Sequence, residues 1–220
     1  MPLITLIDVE TTGLNPATHE VIEVGAILYS VPHRAVLQQV STLLPITAAV
    51  NAQEDCNGIN AEWAELVPNR AHEMAYELMG EMMSESAYLV AFNSSFDRQW
   101  FPGWDNWSDA AAIRYPRPSG SRSLVALCVA HGIPVVSAHR ALDDCRLLAE
   151  LLGNVPDLDG ELARAARPRV LMRAIVGYEG KNAAKAAGFV WDRLVPSAWA
   201  KMMPREDIGE LPFEVVEVVQ

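Results

Sequence analysis

Leu3-Ile4-Thr5-Leu6-Ile7-Asp8-Val9-Glu10-Thr11-Thr12-Gly13-Leu14 opens with a short apolar run and ends in two acids and a turn. β-Branched members and a Thr-Thr-Gly boundary mark Leu3 to Val9 as a buried strand. Two further runs, Val21 to Tyr29 and Val36 to Leu44, follow as a second and third strand, so the chain begins as a meander. From Ala61 the pattern turns helical with Trp63, Leu66 and Val67, and Met74, Leu78 and Met82 then recur near helical spacing. Tyr88 to Phe92 returns to a strand. Asn93 or Ser94 caps a helix carrying Phe96, Asp97 and Trp100, because short polar side chains satisfy the free NH groups of a helix start. Ser123 to His131 forms another helix, closed by Gly132 and Pro134. A last helix runs from about Arg140 to Leu152, with Leu142, Cys145, Leu148, Ala149 and Leu152 largely on one side. Strands first and then alternating helices and strands point to a layered α/β domain with a mixed sheet.

Gly153, Asn154, Pro156 and Gly160 mark a boundary. The reading is a larger α/β domain over residues 1–153, a linker or short helix over 154–168, and a small α+β accessory domain over 169–220. In that last part a strand, a helix from near Glu179, an aromatic-rich segment and a final strand over Phe213 to Val219 are expected. Charge divides unevenly. Residues 1–153 hold 18 Asp or Glu against eight Lys or Arg, whereas residues 154–220 hold 10 against nine.

The formal charge of −11 argues against a protein that grips long nucleic acid through a broad basic surface. It does not argue against phosphodiester chemistry, because cations held by carboxylates reverse the local field. The three cysteines lack paired spacing and read as reduced thiols, which suits a cytoplasmic setting. No basic leader and no long apolar segment is seen, so neither a signal peptide nor a membrane span is expected.

Asp8 and Glu10 are two residues apart at a strand end, so strand alternation points both carboxylates to one side. Like charges held together need compensation, and hard oxygen ligands suit magnesium or manganese better than zinc. By itself an Asp-X-Glu pair is an ordinary solvated edge. Asp97 in a first helical turn also complements exposed NH groups, and either Asp143 or Asp144 can face solvent. His139 lies five residues before Asp144, roughly 140° around an ideal helix, so a shared pocket requires His139 to sit where loop becomes helix. Histidine is the side chain whose ordinary pKa lets it accept a proton near neutrality.

Taken in order, Asp8-Val9-Glu10-Thr11-Thr12-Gly13-Leu14, Asn93-Ser94-Ser95-Phe96-Asp97 and His139-Arg140-Ala141-Leu142-Asp143-Asp144 resemble the three motifs of the DnaQ-like exonuclease family, histidine-containing DEDD branch. The resemblance covers about residues 3–152, including Val21 to Ala26, Asn57-Gly58-Ile59 and Leu124 to Leu127. It implies a ribonuclease-H-like five-stranded mixed sheet of order 3-2-1-4-5, flanked by helices, with strand 2 antiparallel to the rest. It implies that Asp8, Glu10, Asp97 and Asp144 bind two divalent ions, Mg2+ or Mn2+, and that His139 is the general base. Asp144 rather than Asp143 matches the family's spacing from the histidine. It also places Thr11, Thr12, Leu14, Asn93 and Phe96 near the substrate terminus. Phe92 departs from the pattern, since relatives often carry histidine there.

The resemblance implies hydrolysis of terminal phosphodiester bonds from a free 3′ end, on single-stranded DNA or RNA, releasing nucleoside 5′-monophosphates. No membrane partner is expected, and a homodimer is left open. A catalytically inactive nucleic-acid-binding module is the alternative. In the C-terminal part, Lys181, Lys185, Lys201 and Arg205 can meet phosphate and Trp191 and Trp199 can stack on bases, or the tryptophans can complete a tiny core.

Overall fold

The computed structural model describes residues 2–48, 50–117, 119, 121 and 123–219. The chain divides into two compact units, Met1–Ala166 and Arg167–Gln220.

In the first unit β1 (Leu3–Thr11), β2 (Val21–Ser30) and β3 (Ala35–Leu43) form the antiparallel meander. β4 (Tyr88–Ala91) and β5 (Trp107–Asp109) then pair in parallel on the other side of β1, giving the order β3-β2-β1-β4-β5. β1 is therefore the middle strand. This explains its nearly unbroken apolar run, since both faces are covered. A parallel partner needs a crossover, and the chain supplies it through two short helices, α1 (Glu54–Asn57) and α2 (Ala61–Glu65), and the long α3 (Asn69–Ser84).

One face of the sheet packs Ile7, Val9 and Val24 against Met79, Met82 and Met83 of α3 and the aromatic run Phe96 to Trp104. The buried side of α3 is set by Ala75, Met79, Met82 and Met83, while Met74 points to solvent, so the expected Met74-Leu78-Met82 stripe is rotated by about one residue. The other face packs Ile4, Leu6 and Ile27 against α6 (Ala141–Gly153) and α7 (Leu158–Ala165). Cys145, Leu148, Ala149 and Leu152 face the sheet as expected. Leu147 and Leu151 form a second buried side, packed against Cys128 of α5 (Leu124–Ala130), so α6 is covered on two sides rather than one.

The segment expected as a linker or short helix is α7, and Leu158, Leu162 and Ala165 join the core of the first unit. Glu161 in α7 ties the helix down by taking Arg114 N at 2.9 Å, Arg114 Nε at 2.8 Å and Arg164 Nη2 at 2.8 Å.

The second unit is a four-stranded antiparallel sheet of order β7-β8-β6-β9, built from β6 (Arg169–Ala174), β7 (Val190–Trp191), β8 (Trp199–Pro204) and β9 (Val215–Glu217). The helix α8 (Lys181–Ala186) follows a 3-10 turn over Tyr178–Gly180, and Met172, Ala184, Phe189 and Met203 form the core. The aromatic-rich segment is in fact the β7–β8 hairpin, hidden in the sequence because β7 is only two residues long. All three cysteines are free, and among the described residues no helix is long and apolar enough to cross a membrane.

Candidate active site

The last residues of β1 carry the site. Asp8 pairs with Gly25 and Glu10 with Glu23 across β2, and the register shifts by a bulge between Glu10 and Thr11. Bulges commonly end pairing beside active sites and re-aim the side chains there. The carboxylates of Asp8 and Glu10 meet that of Asp144 from α6, with one oxygen of each lying within 4.8 Å of the others. Alternation along β1 and the first turn of α6 thus place three acids around one point.

Asp97 is 2% exposed in the four-residue helix α4 (Ser94–Asp97). It stands outside the three-acid cluster, yet its charge is the strongest of those acting on Asp8. The turn that carries it is shaped by Asn93, which adopts φ 71°, receives Ser95 Oγ at 2.9 Å on its side-chain oxygen and donates its backbone NH to Asp109 at 3.1 Å. Asn93, one of the two expected caps, stands at the cap position of the helix, but its side chain bonds no backbone NH there.

His139 lies exposed immediately before α6, with φ 63°, and Arg140 is the residue flanking the helix start. This position just ahead of the helix lets His139 oppose the rise that burial imposes on Asp144. Asp143 instead forms an ion pair with Arg146 at 3.2 Å on the outer side of the helix.

The start of α6 is fastened to β2. Glu23, 3% exposed, receives Arg140 Nε at 2.9 Å, Arg140 Nη2 at 2.7 Å and the backbone NH of Ala141 at 3.1 Å. Two strands' register neighbours, Glu10 and Glu23, are like charges, and Arg140 neutralises the one that the cluster does not use. Next along β2, a Cβ on Gly25 would lie 2.5 Å from the backbone of Ala141 and Leu142, so only glycine lets the helix approach this closely.

Burial and mutual repulsion hold the acids well away from ordinary carboxylate behaviour. Withdrawal from water, then the charges of Asp97, Asp144 and Glu10, push Asp8 well above its usual value. Burial raises Glu10 to about 7, with Asp144 and Glu23 adding to the shift. Asp97 is also lifted to about 7, chiefly by burial. Asp144 is raised by burial, with His139 opposing. Asp144 Oδ1 is buried without a hydrogen-bond partner. An all-oxygen donor set, with a buried oxygen left unsatisfied and each acid resisting its own charge, fits a hard divalent cation.

The remaining expected residues divide. Thr11 and Thr12 are buried and serve the turn itself, Thr11 Oγ1 donating to Gly13 O at 2.7 Å and Thr12 Oγ1 accepting from Glu20 N at 3.0 Å. Leu14 projects into solvent, 77% exposed, whereas Phe96 is partly buried edge-on to Trp100 at 6.1 Å. Phe92 packs against the core on the α6 side. Sequence reasoning missed Glu23 and Arg140, and it gave no role to Asn57, whose side chain donates to the carbonyl of Thr11 at 3.5 Å. A lone acid in an apolar strand was the signal for Glu23.

This sheet and this cluster define the class. Residues 5–106 match the family model described as Exonuclease, and the first unit carries the mixed five-stranded sheet of order β3-β2-β1-β4-β5 flanked by helices. Residues 170–218 match a second family, described as a domain of unknown function. DNA polymerase III PolC-type of Thermotoga petrophila is 26% identical over 160 residues, covering 66% of this chain; the matched part is 11% of that polymerase. Exonuclease X, solved in complex with 5′-overhanging duplex DNA, superposes with a TM-score of 0.57 at 22% identity, covering 74% of this chain and 99% of its own. The nuclease domain of 3′hExo, a DEDDh family member bound to rAMP, gives 0.57 at 16% identity, covering 73% and 93%. At such identities the two structures speak to the fold.

Proposed function

We propose that this protein is a divalent-metal-dependent 3′-to-5′ exonuclease acting on single-stranded DNA or RNA and releasing nucleoside 5′-monophosphates. The observation that carries this reading is the meeting of Asp8, Glu10 and Asp144 within 4.8 Å, with an unsatisfied oxygen on Asp144. Asp8, Glu10 and Asp144 would hold the ions, with buried Asp97 completing the negative field around them. Two such ions, Mg2+ or Mn2+, would supply stabilisation of the charge that develops on the attacking and leaving oxygens. His139 accepts a proton from the attacking water on an imidazole nitrogen. The water oxygen bonds to the terminal phosphorus as the bond to the preceding 3′ oxygen breaks. Arg140 does not reach for substrate in this arrangement, because Glu23 engages it. Leu14, standing free beside the first motif, and Phe96 offer apolar surfaces to the terminal nucleotide. A neighbour bound to DNA and another bound to a ribonucleotide support leaving both sugars open.

The test is a time course on 5′-labelled single strands with magnesium or manganese. Stepwise shortening from the 3′ end, abolished by a chelator, is expected. Exclusively internal cuts reject the assignment, and tight binding without turnover favours an inactive binding module.

A further inference from the structure

β3 is an outer strand of the first unit's sheet. Outer strands carry a row of unpaired NH and C=O groups, and proteins blunt them with short length, charge or proline. The other three outer strands are blunted by length, since β5 has three residues, β7 two and β9 three. β3 has nine, with neither a charge nor a proline among them. The neutral stretch runs further, for residues 35–53 hold no Lys, Arg, Asp or Glu in a chain that is 20% charged. Val36 and Leu37 are 46% and 56% exposed, and Gln38, Gln39 and Ser41 are exposed beside them.

The pairing with β2 fixes which backbone groups are free. Leu44 donates its NH to Ile22 O at 2.8 Å, so by alternation Thr42 and Val40 also turn their NH and C=O inwards to β2. Gln39, Ser41 and Leu43 therefore turn theirs outwards. A bulge at Leu37, between the pairs Leu28–Gln38 and Tyr29–Val36, bends only the first end of the strand, and Gln38 to Leu43 keep an unbroken register.

The side chains about Val40 read alike in both directions. Leu37-Gln38-Gln39-Val40-Ser41-Thr42-Leu43 sets uncharged polar residues one and two places away on each side, and a leucine three places away. Laid antiparallel on its own copy, the strand is self-complementary: Gln39 meets Ser41, Gln38 meets Thr42 and Val40 meets Val40. The outward groups of Gln39 and Ser41 then bond across the join, while Val40, bonded inwards, forms the closer pair without hydrogen bonds. This symmetry selects a second copy over a strand of another protein. Two chains of charge −11 repel wherever their acids meet, and β3 brings none of its own to the join. Arg146, whose Nε reaches Gln39 Oε1 at 3.2 Å, is itself paired with Asp143.

We propose that β3 is a self-association edge, on which a second copy of the chain lays its own β3 antiparallel about a two-fold axis at Val40, so that the two five-stranded sheets become one. β2 lies between β3 and the carboxylates of β1, so each copy keeps its own acidic cluster whole.

Sedimentation equilibrium of the full chain should show a dimer with a Kd of roughly 1–100 µM, since a single strand pair is a small interface. Gln39→Pro should weaken it about tenfold or more, because it removes an outward NH that the single chain does not use. The register is tested by oxidation in a Cys56→Ser background, which removes the exposed native thiol. Val40→Cys should give a disulfide-linked dimer on a denaturing gel, because the axis brings that position against its own copy within disulfide reach. Gln38→Cys, opposite Thr42 of the second copy, should not. Circular dichroism checks each fold, and if Gln39→Pro unfolds, Gln38→Lys takes its place by setting a charge on the join. A wild-type chain that stays monomeric throughout that concentration range, association unchanged by the variant at the edge, or cross-linking as strong through Gln38→Cys as through Val40→Cys overturns the proposal.

Discussion

Arg140 grips Glu23 through two hydrogen bonds, 2.9 Å and 2.7 Å long, and so pins the residue next to His139 to the strand beside β1. Removing Glu23 leaves the buried Ala141 NH short of a bond, and removing Arg140 leaves the buried Glu23 carboxylate without its cation. Glu23→Gln should cost about 1–3 kcal/mol of stability. It should lower kcat about tenfold or more with little change in KM, because the start of α6 loses its fixed position. Arg140→Gln should do much the same, and the double variant should be no worse than either single one. Additive losses in kcat would show that the pair does not act as a unit.

Asp8→Asn and Asp144→Asn each remove a charge from the cluster while nearly keeping shape. Turnover should fall by a factor on the order of 10²–10³, far more than in Asp143→Asn, whose partner is Arg146. A second measurement needs no substrate. In chelator Asp8→Asn should melt a few degrees above wild type, since a repelled carboxylate is gone. Added magnesium should then stabilise wild type but not the variant. Equal stabilisation of both by magnesium would remove Asp8 from the ligand set.

His139→Asn separates proton transfer from ion binding. Turnover should drop roughly 100-fold or more, with magnesium still raising the melting temperature. Rates across pH provide the check: an unchanged profile at near-wild-type turnover removes His139 from the mechanism.

Glu161 gives a pH-dependent anchor for α7. Burial pushes its carboxyl up, but the bonds from Arg164 and from Arg114 outweigh this and hold it below its ordinary 4.5. A depressed acid stabilises the fold fully above its unfolded value and loses that contribution as pH falls through the folded one. Glu161→Gln should therefore be less stable by about 2 kcal/mol at pH 7, and denaturant midpoints should converge as pH falls below 4.5. A gap that persists undiminished in acid would mean that packing, not charge, makes the difference.

The first three strands and α6 were legible because each is a run of apolar residues with its own period and its own polar boundary. β5 was not: three residues between Trp104 and Ala110 carry no alternation, and only the pairing with β4 makes them a strand. Asp8 and Glu10 were readable as a pair from alternation alone, but nothing local ties Asp144 to them; that required the resemblance, and folding across β2 brings it about. Glu23 stayed hidden because its partner lies 117 residues away. Trp191 and Trp199 read as equals in sequence, and only the small core of the C-terminal unit tells them apart.

The central place of β1 has a kinetic consequence. Over Ile4–Leu6 it is paired with β2 on one side and β4 on the other, so the amide hydrogens there should exchange with deuterium only when the whole domain opens. His139 sits on an exposed turn ahead of the Arg140–Glu23 anchor, and its amides should open by local fraying. In mild denaturant the turn carrying His139, the proposed proton acceptor, should thus open while the core of β1 is still assembled. Exchange measured at increasing urea would reveal this as two separate openings, the turn at 137–140 first and β1 last; simultaneous exchange of both segments would contradict it.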